Sequence, residues 1–269
     1  MKTVGKRTWL SVARRLCLWS CALLLPNLQA LGKEPIESQS DDKPFADKAM
    51  TGTIEGVLTF SGEVPKSKVP DDAGDYRPLL DVERKSRGLR FVLICLELDE
   101  SRTDESIDSQ RDNDTRESEP VVMDQLEHRF VPHLLAIRAG QKVKFTNSDT
   151  ANHNVRSNSF ESKNQFNVFT GSGGDYSHQF VAERKLRPVK LSCDIHRWMQ
   201  GWIYVLDHPY HAVTDKSGKF GICSIPPGKY RLSIRQPDVG YRQSREVELV
   251  KGKITKLQLN IDRRELKDL

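Results

Sequence analysis

Short apolar runs separated by turn residues limit how this chain can fold, because no long stretch of it has helical periodicity. The runs that alternate apolar and polar residues, or that form a compact apolar block, are predicted strands at 51–60, 90–98, 134–140, 142–149, 185–193 and 201–207. Turn signals at Ser217-Gly218 and Pro226-Pro227-Gly228 separate further strands. Strands this short at this spacing predict an all-β fold made of β-sandwiches.

The N-terminal segment has the layout of a secretory signal peptide. Basic residues come first, the apolar run LCLWSCALLLP follows, and Ala30 offers a cleavage position. The run is too short to span a bilayer comfortably, so a retained anchor is the less favoured alternative. We predict that residues 1–30 are removed on export to the periplasm or to the outside of the cell. Residues 31–50 are polar and lack periodicity, which predicts a linker.

The net charge of the chain depends on this N-terminal segment. The chain has 42 basic and 37 acidic residues and a formal net charge of +5, but five of the basic residues and no acid lie in its first 30 residues. Without them the chain is neutral and has no net attraction for phosphate backbones, so we predict no nucleic-acid partner. Contact with a membrane is expected only if residues 1–30 stay attached.

One internal tract is strongly acidic. Residues 99–119 contain nine acids and three arginines and almost no apolar residue. A segment with so little to bury is expected to stay unfolded, so we predict that residues 99–120 form a disordered acidic loop. A solvated insertion is the simpler interpretation, and a docking surface for a basic partner is the functional alternative.

The number of cysteines in the exported chain is odd. Cleavage after Ala30 leaves Cys95, Cys193 and Cys223, in an oxidising compartment. At least one of them has no partner within the chain. A disulfide between Cys95 and Cys223 would leave Cys193 free to bind a metal, and two buried unpaired thiols are the equally favoured alternative.

Four residues form the strongest candidate for a chemical site. Cys193, His196 and Met199 follow one another at intervals of three on a loop between two predicted strands, and His153 follows the strand KVKFTN. Two loops at one pole of a sandwich can bring these side chains together. Two imidazoles, a thiolate and a weak axial thioether are the ligand set of a blue copper centre. Zinc is the rival metal, because Cys and His also bind it, but the thioether argues against zinc.

The residues around these four resemble the cupredoxins. The resemblance rests on NSDTANHNV, on CDIHRWMQGWIYV, and on the F-x-P and G-x-x-V-x-F elements of FVPHLLAIRAGQKVKFTNSDTANHNV, and the ligand spacing is similar to that of amicyanin-like members. It covers about residues 121–206 and implies a cupredoxin domain at 121–207, a Greek-key β-sandwich that holds one type 1 copper ion. The implied ligands are His153, Cys193, His196 and Met199. Asn154, directly after the first ligand, would tie the two loops together.

The C-terminal pattern TDKSGKFGICSIPPGKYRLSI is similar to the carboxypeptidase regulatory-like domain, a transthyretin-type β-sandwich. Residues 208–269 alone are few for such a sandwich, because so short a chain buries little surface. An opening strand is present upstream in GTIEGVLTFSGEVP, followed by RFVLICLEL. We therefore predict one discontinuous domain, 51–98 and 208–269, with the cupredoxin domain inserted in it. Two domains in series, 51–207 and 208–269, are the simpler alternative.

The combination resembles proteins described as methylamine-utilisation-like. It implies an exported one-electron carrier with one type 1 copper ion and an unidentified redox partner protein. A copper delivery or storage protein is the first alternative, and a β-sandwich module that binds a partner or carbohydrate without transferring electrons is the second. We predict no enzymatic activity, because the sequence shows no second metal cluster, no haem-attachment motif and no Ser/His/Asp arrangement.

Overall fold

The computed structural model describes residues 51–98 and 119–266. The predicted signal peptide (1–30), the linker (31–50) and nearly all of the acidic loop (99–120) lie outside these ranges. No helix within the described ranges is long and apolar enough to cross a membrane.

Strands make up about half of the described chain, which confirms the predicted all-β class. Each segment predicted to be a strand contains one. In chain order the strands are β1 (Gly52–Ser61), β2 (Leu93–Glu97), β3 (Val121–Gln125), β4 (Phe130–Val131), β5 (Leu134–Arg138), β6 (Lys142–Asn147), β7 (His153–Asn158), β8 (Phe166–Thr170), β9 (Asp175–Gln179), β10 (Val189–Ser192), β11 (Gln200–Leu206), β12 (His211–Val213), β13 (Lys219–Ile225), β14 (Gly228–Gln236), β15 (Tyr241–Leu249) and β16 (Ile254–Asp262). Short 3-10 helices lie at Ser162–Asn164, Arg184–Leu186 and Arg263–Glu265.

One sandwich is formed by strands from the two ends of the described chain. Its first sheet has the order β13-β1-β16, in which β1 is antiparallel to β13 and parallel to β16. Its second sheet has the order β12-β2-β14-β15. Ile54, Leu58 and Phe60 of β1 point into the core between the two sheets. Their spacing of two or four residues is that of a strand with one buried face.

The second sandwich is contiguous in sequence. Its sheets have the orders β5-β11-β10-β7-β8 and β4-β3-β6-β9. The largest residues of its core include Met123, Phe130, Phe145 and Phe180. Because β10 runs antiparallel to both β7 and β11, the start of β7 and the loop between β10 and β11 lie at the same end of the sheet. The two segments that carry the predicted site residues therefore meet there.

Strand β2 is buried on both faces because the two sandwiches pack against each other. Its alternate residues Leu93 and Cys95 contact the second sandwich at Leu134, Tyr204 and Leu206. The remaining apolar residues of β2 belong to the core of the first sandwich. This double burial explains the unbroken apolar run LICL.

A buried carboxylate joins the sandwiches beside this apolar layer. Asp238, between β14 and β15, accepts hydrogen bonds from Trp202 Nε1 at 2.8 Å and Gln236 Nε2 at 2.9 Å, and lies 2.9 Å from His133 Nε2. Burial acts to raise the pKa of Asp238, but His133 and these hydrogen bonds outweigh burial and hold the pKa below its usual value. Asp238 is therefore an ionised link between the sandwiches.

Cys95, Cys193 and Cys223 are all free. Cys95 is buried, and burial raises the pKa of its thiol to about 12. Cys223 is exposed. The disulfide considered between Cys95 and Cys223 is therefore absent, and the alternative of two buried thiols is wrong for Cys223.

Candidate metal centre

His153 is the first residue of β7 and is fully buried. Its Nε2 lies 2.9 Å from Asp149 Oδ2. Burial acts to raise the pKa of Asp149, but hydrogen bonds from the His128 N–H, from His153 and from the Glu127 N–H hold the pKa below its usual value. An ionised carboxylate can only accept a hydrogen bond, so His153 Nε2 carries a proton, and in the neutral form of the ring Nδ1 presents a lone pair.

The other three predicted ligands lie on the loop between β10 and β11. The Cys193 N–H donates to the Met199 carbonyl at 3.2 Å, and the Met199 N–H donates to the His196 carbonyl at 2.9 Å. Cys193 and Met199 are buried in the core of the second sandwich, and His196 is partly exposed. The two hydrogen bonds turn the loop back on itself, which keeps the three residues close together.

The donor atoms of both loops converge. Nδ1 of His153 and Nδ1 of His196 are 2.9 Å apart, and each lies 3.8 Å from Cys193 Sγ. Two nitrogen lone pairs repel at such a distance, so a proton or a metal cation must lie between them. The structure thus brings His153, Cys193 and His196 together, with Met199 in the same buried cluster as the cysteine.

These separations fit a transition-metal ion. Nitrogen and thiolate donors bind such ions at about 2.0–2.3 Å, so two donors on one ion lie about 3–4 Å apart. The separation of 3.8 Å to Cys193 Sγ lies in that range, and the 2.9 Å between the imidazoles lies just below it. A thiolate with a thioether nearby is a soft donor set, which suits copper better than zinc.

Asn154 connects the two loops. Its Oδ1 accepts the N–H of Asp194 at 2.7 Å and lies 3.3 Å from Cys193 Sγ. Its Nδ2 donates to Asp194 Oδ2 at 3.1 Å and to Asn167 Oδ1 at 2.7 Å. One amide therefore fixes the position of the cysteine loop relative to β7.

His128 lies against the site, although sequence reasoning assigns it no role. The centroid of its ring is 4.6 Å from that of His196 and 5.3 Å from that of His153. With Glu127 it forms the turn between β3 and β4, and both residues have positive φ, 53° and 56°. The Asp149 carboxylate accepts the N–H groups of both, at 2.7 and 2.9 Å. No local motif marks this histidine, because its contacts come from segments distant in sequence.

The electrostatic surroundings of His196 keep its imidazole neutral. Burial lowers the pKa of His196. The neighbouring His153 and His128 lower it further, whereas Asp72 and Asp149 act to raise it. The pKa lies below its usual value, so the ring is uncharged at neutral pH. A metal ion can bind the neutral ring without competing strongly with a proton.

No protein-family model matches this chain, and a comparison with curated proteins finds no relative. Similar solved structures include the Cu-containing nitrite reductase NirK from Thermus scotoductus SA-01, with 26% identity over 34% of this chain and a TM-score of 0.30. A reduced amicyanin variant and the Cu(I) form of another are 19% and 20% identical over 32% and 33% of this chain, with TM-scores of 0.28 and 0.29. The match covers 82% and 84% of these amicyanin chains, and this chain spans only 23% of the nitrite reductase chain.

Proposed function

We propose that this chain is an exported one-electron carrier that holds one type 1 copper ion through His153, Cys193, His196 and Met199. One observation carries the proposal: the ligand atoms of His153, Cys193 and His196 all lie within 4.8 Å of one another. Copper bound there would supply a centre that gains and loses single electrons. Thiolate and thioether suit Cu(I) and imidazole suits both oxidation states, so the ligand set serves both.

The surroundings of these ligands favour electron transfer over metal release. Asp149 orients His153 from one side, and Asn154 fixes the cysteine loop from the other. These hydrogen bonds are made by protein groups alone, so they position the side chains without help from a metal ion. A site positioned in this way reorganises little when its charge changes, which favours rapid transfer.

His196 offers the route for the electron, because it is the partly exposed member of the set. Ile195 beside it is 52% exposed and gives that surface an apolar contact for a redox partner protein. We expect the carrier to work in the periplasm or outside the cell after loss of residues 1–30, and to catalyse no reaction of its own.

The visible absorption spectrum of the purified protein during titration with Cu(II) tests this proposal. We expect an intense blue band that a mild reductant bleaches and an oxidant restores. Cys193→Ser should abolish the band because it removes the thiolate, whereas Cys223→Ser, which removes an exposed thiol, should leave it intact. A blue band that survives Cys193→Ser contradicts the proposal. Colourless copper binding would favour delivery or storage, and no copper binding would favour a partner- or carbohydrate-binding module.

A further inference from the structure

A second group of metal-binding side chains shares His196 with the buried group. The ligand atoms of Asp72, His128 and His196 lie within 4.8 Å of one another. Asp72 is exposed and both imidazoles are partly exposed. Within the described residues, no hydrogen bond or ion pair occupies the Asp72 carboxylate. The group is therefore accessible to an ion arriving from solvent.

The loop that carries Asp72 is fixed beside the second sandwich. Asp71 accepts hydrogen bonds from the Asp75 N–H and from Arg77 Nε, both at 3.0 Å, which gives the loop a defined shape. Arg77 Nη1 also donates to the carbonyl of His128 at 3.5 Å. One arginine thus links the loop of Asp72 to the turn of His128.

The position of His128 is equally well defined. Asp149 holds the N–H groups of Glu127 and His128, although positive φ is unfavourable for both residues. Trp198 stacks on the His128 ring, with 6.3 Å between centroids and 27° between planes. The indole N–H of Trp198 is buried and has no acceptor within the described part of the chain. A water bound to a metal ion could supply that acceptor.

We propose that Asp72, His128 and His196 form an outer binding site for Cu(II), from which the ion passes to the buried ligands. The inference rests on the proposed function of the buried group. Imidazole nitrogen and carboxylate oxygen suit Cu(II), and the outer group contains neither the thiolate nor the thioether that Cu(I) prefers. Donors on one ion lie about 3–4 Å apart, and the exposed Asp72 side chain is free to close on an ion held by two imidazoles.

The shared histidine makes transfer a ligand exchange. His196 belongs to both groups, and Asp72 and His128 would be replaced by His153 and Cys193. The copper stays Cu(II) throughout, and the Cys193 thiol releases its proton to solvent as the sulfur binds.

The rate at which metal-free protein takes up Cu(II), followed by stopped-flow at the blue band, tests the outer site. His128→Asn removes the imidazole but keeps the turn, because asparagine readily adopts positive φ. Asp72→Asn removes the carboxylate, and Asp75→Asn is the matched control, with the same charge change in the same loop. We expect the first two variants to slow uptake about tenfold and the control to have little effect. Equal uptake in all variants, or equal slowing by Asp75→Asn, overturns the inference.

Cu(II) binding to a Cys193→Ser background, measured by EPR, separates this inference from the proposed function. We expect His128→Asn and Asp72→Asn to weaken that binding about tenfold. Unchanged affinity overturns the outer site even if the wild-type protein is blue. Weakened affinity together with a colourless wild-type protein supports the outer site and contradicts the electron carrier.

Discussion

Asp149 accepts a hydrogen bond from His153 at 2.9 Å through Oδ2, and the same carboxylate accepts the N–H groups of Glu127 and His128. One side chain therefore sets the tautomer of the buried imidazole and holds the turn that packs on the site. The geometry of the candidate centre depends on a residue that is not among its ligands.

Asp149→Asn should weaken Cu(II) binding by about 10–100-fold, because a neutral amide orients and polarises His153 less well than a carboxylate does. Competitive titration against a chelator measures the affinity. Asp175→Asn is a suitable control, because Asp175 is an exposed partner of Lys144 on the same sandwich. Equal Cu(II) affinity of the Asp149→Asn variant and the wild type would show that Asp149 does not support copper binding through His153.

Met199→Gln should retain copper but lower the reduction potential. A harder amide oxygen in the axial position stabilises Cu(II) relative to Cu(I), and the axial ligand tunes the potential of such centres. Voltammetry of the purified variant gives the value. Met123→Leu, a change elsewhere in the core of the same sandwich, should leave the potential unchanged. An unaltered potential in Met199→Gln would show that Met199 is not a ligand.

His208 should make the fold less stable in mild acid. Burial lowers the pKa of this 4%-exposed histidine from 6.5, and although Asp207 opposes the shift, the net direction is downward. The unfolded chain gains a proton below pH 6.5 that the folded chain rejects. The contribution of His208 to the free energy of unfolding is therefore fully present above pH 6.5. It falls by up to about 1.4 kcal/mol per pH unit as pH drops toward the lowered pKa.

His208→Asn should flatten this pH dependence, because it removes the imidazole that titrates. The asparagine Oδ1 can still accept the Tyr210 N–H that His208 Nδ1 accepts at 3.2 Å, so the hydrogen bond is kept. Urea unfolding at pH 7.5, 6.5 and 5.5 would measure the difference (about one-unit steps across the titration range of histidine). The same loss of stability in both proteins would assign the acid sensitivity to other groups.

Asp238→Ala should lower the free energy of unfolding by about 3–5 kcal/mol, because it leaves His133 and the Trp202 N–H without their buried partner. Asp238→Asn keeps an acceptor oxygen and should lose less. Chemical denaturation of both variants measures the two losses. If the alanine and asparagine variants lose the same free energy of unfolding, the hydrogen bonds of Asp238 do not contribute to stability.

The strands and the cluster of candidate ligands could be predicted because their signals are local. Alternating burial along β1 and the close spacing of Cys193, His196 and Met199 within one loop can be read without knowing the fold. Which metal these residues bind stays a prediction. His153 is more distant, but the strand before it places it at a loop, and loops of a sandwich gather at its ends.

The residues that organise the site could not be predicted, because their roles depend on contacts between distant segments. His128 reaches His196 only through the pairing of β3 with β6, which brings its turn to Asp149. Asp72 comes from the other sandwich altogether. Likewise, the apolar run of β2 predicts burial but does not reveal that two different cores bury it.

The parallel pairing of β1 with β16 also sets the order in which the chain can assemble. Ile54 lies opposite Thr255, whereas every strand of the second sandwich finds its neighbours between residues 121 and 206. Pairing across long separations forms slowly, so the middle of the chain should reach its native form before its ends. Until β16 is made, β1 has an exposed edge, and the apolar β2 has one until β14 is made, and such edges invite aggregation. The strand that is synthesised first among those described is thus among the last to be paired.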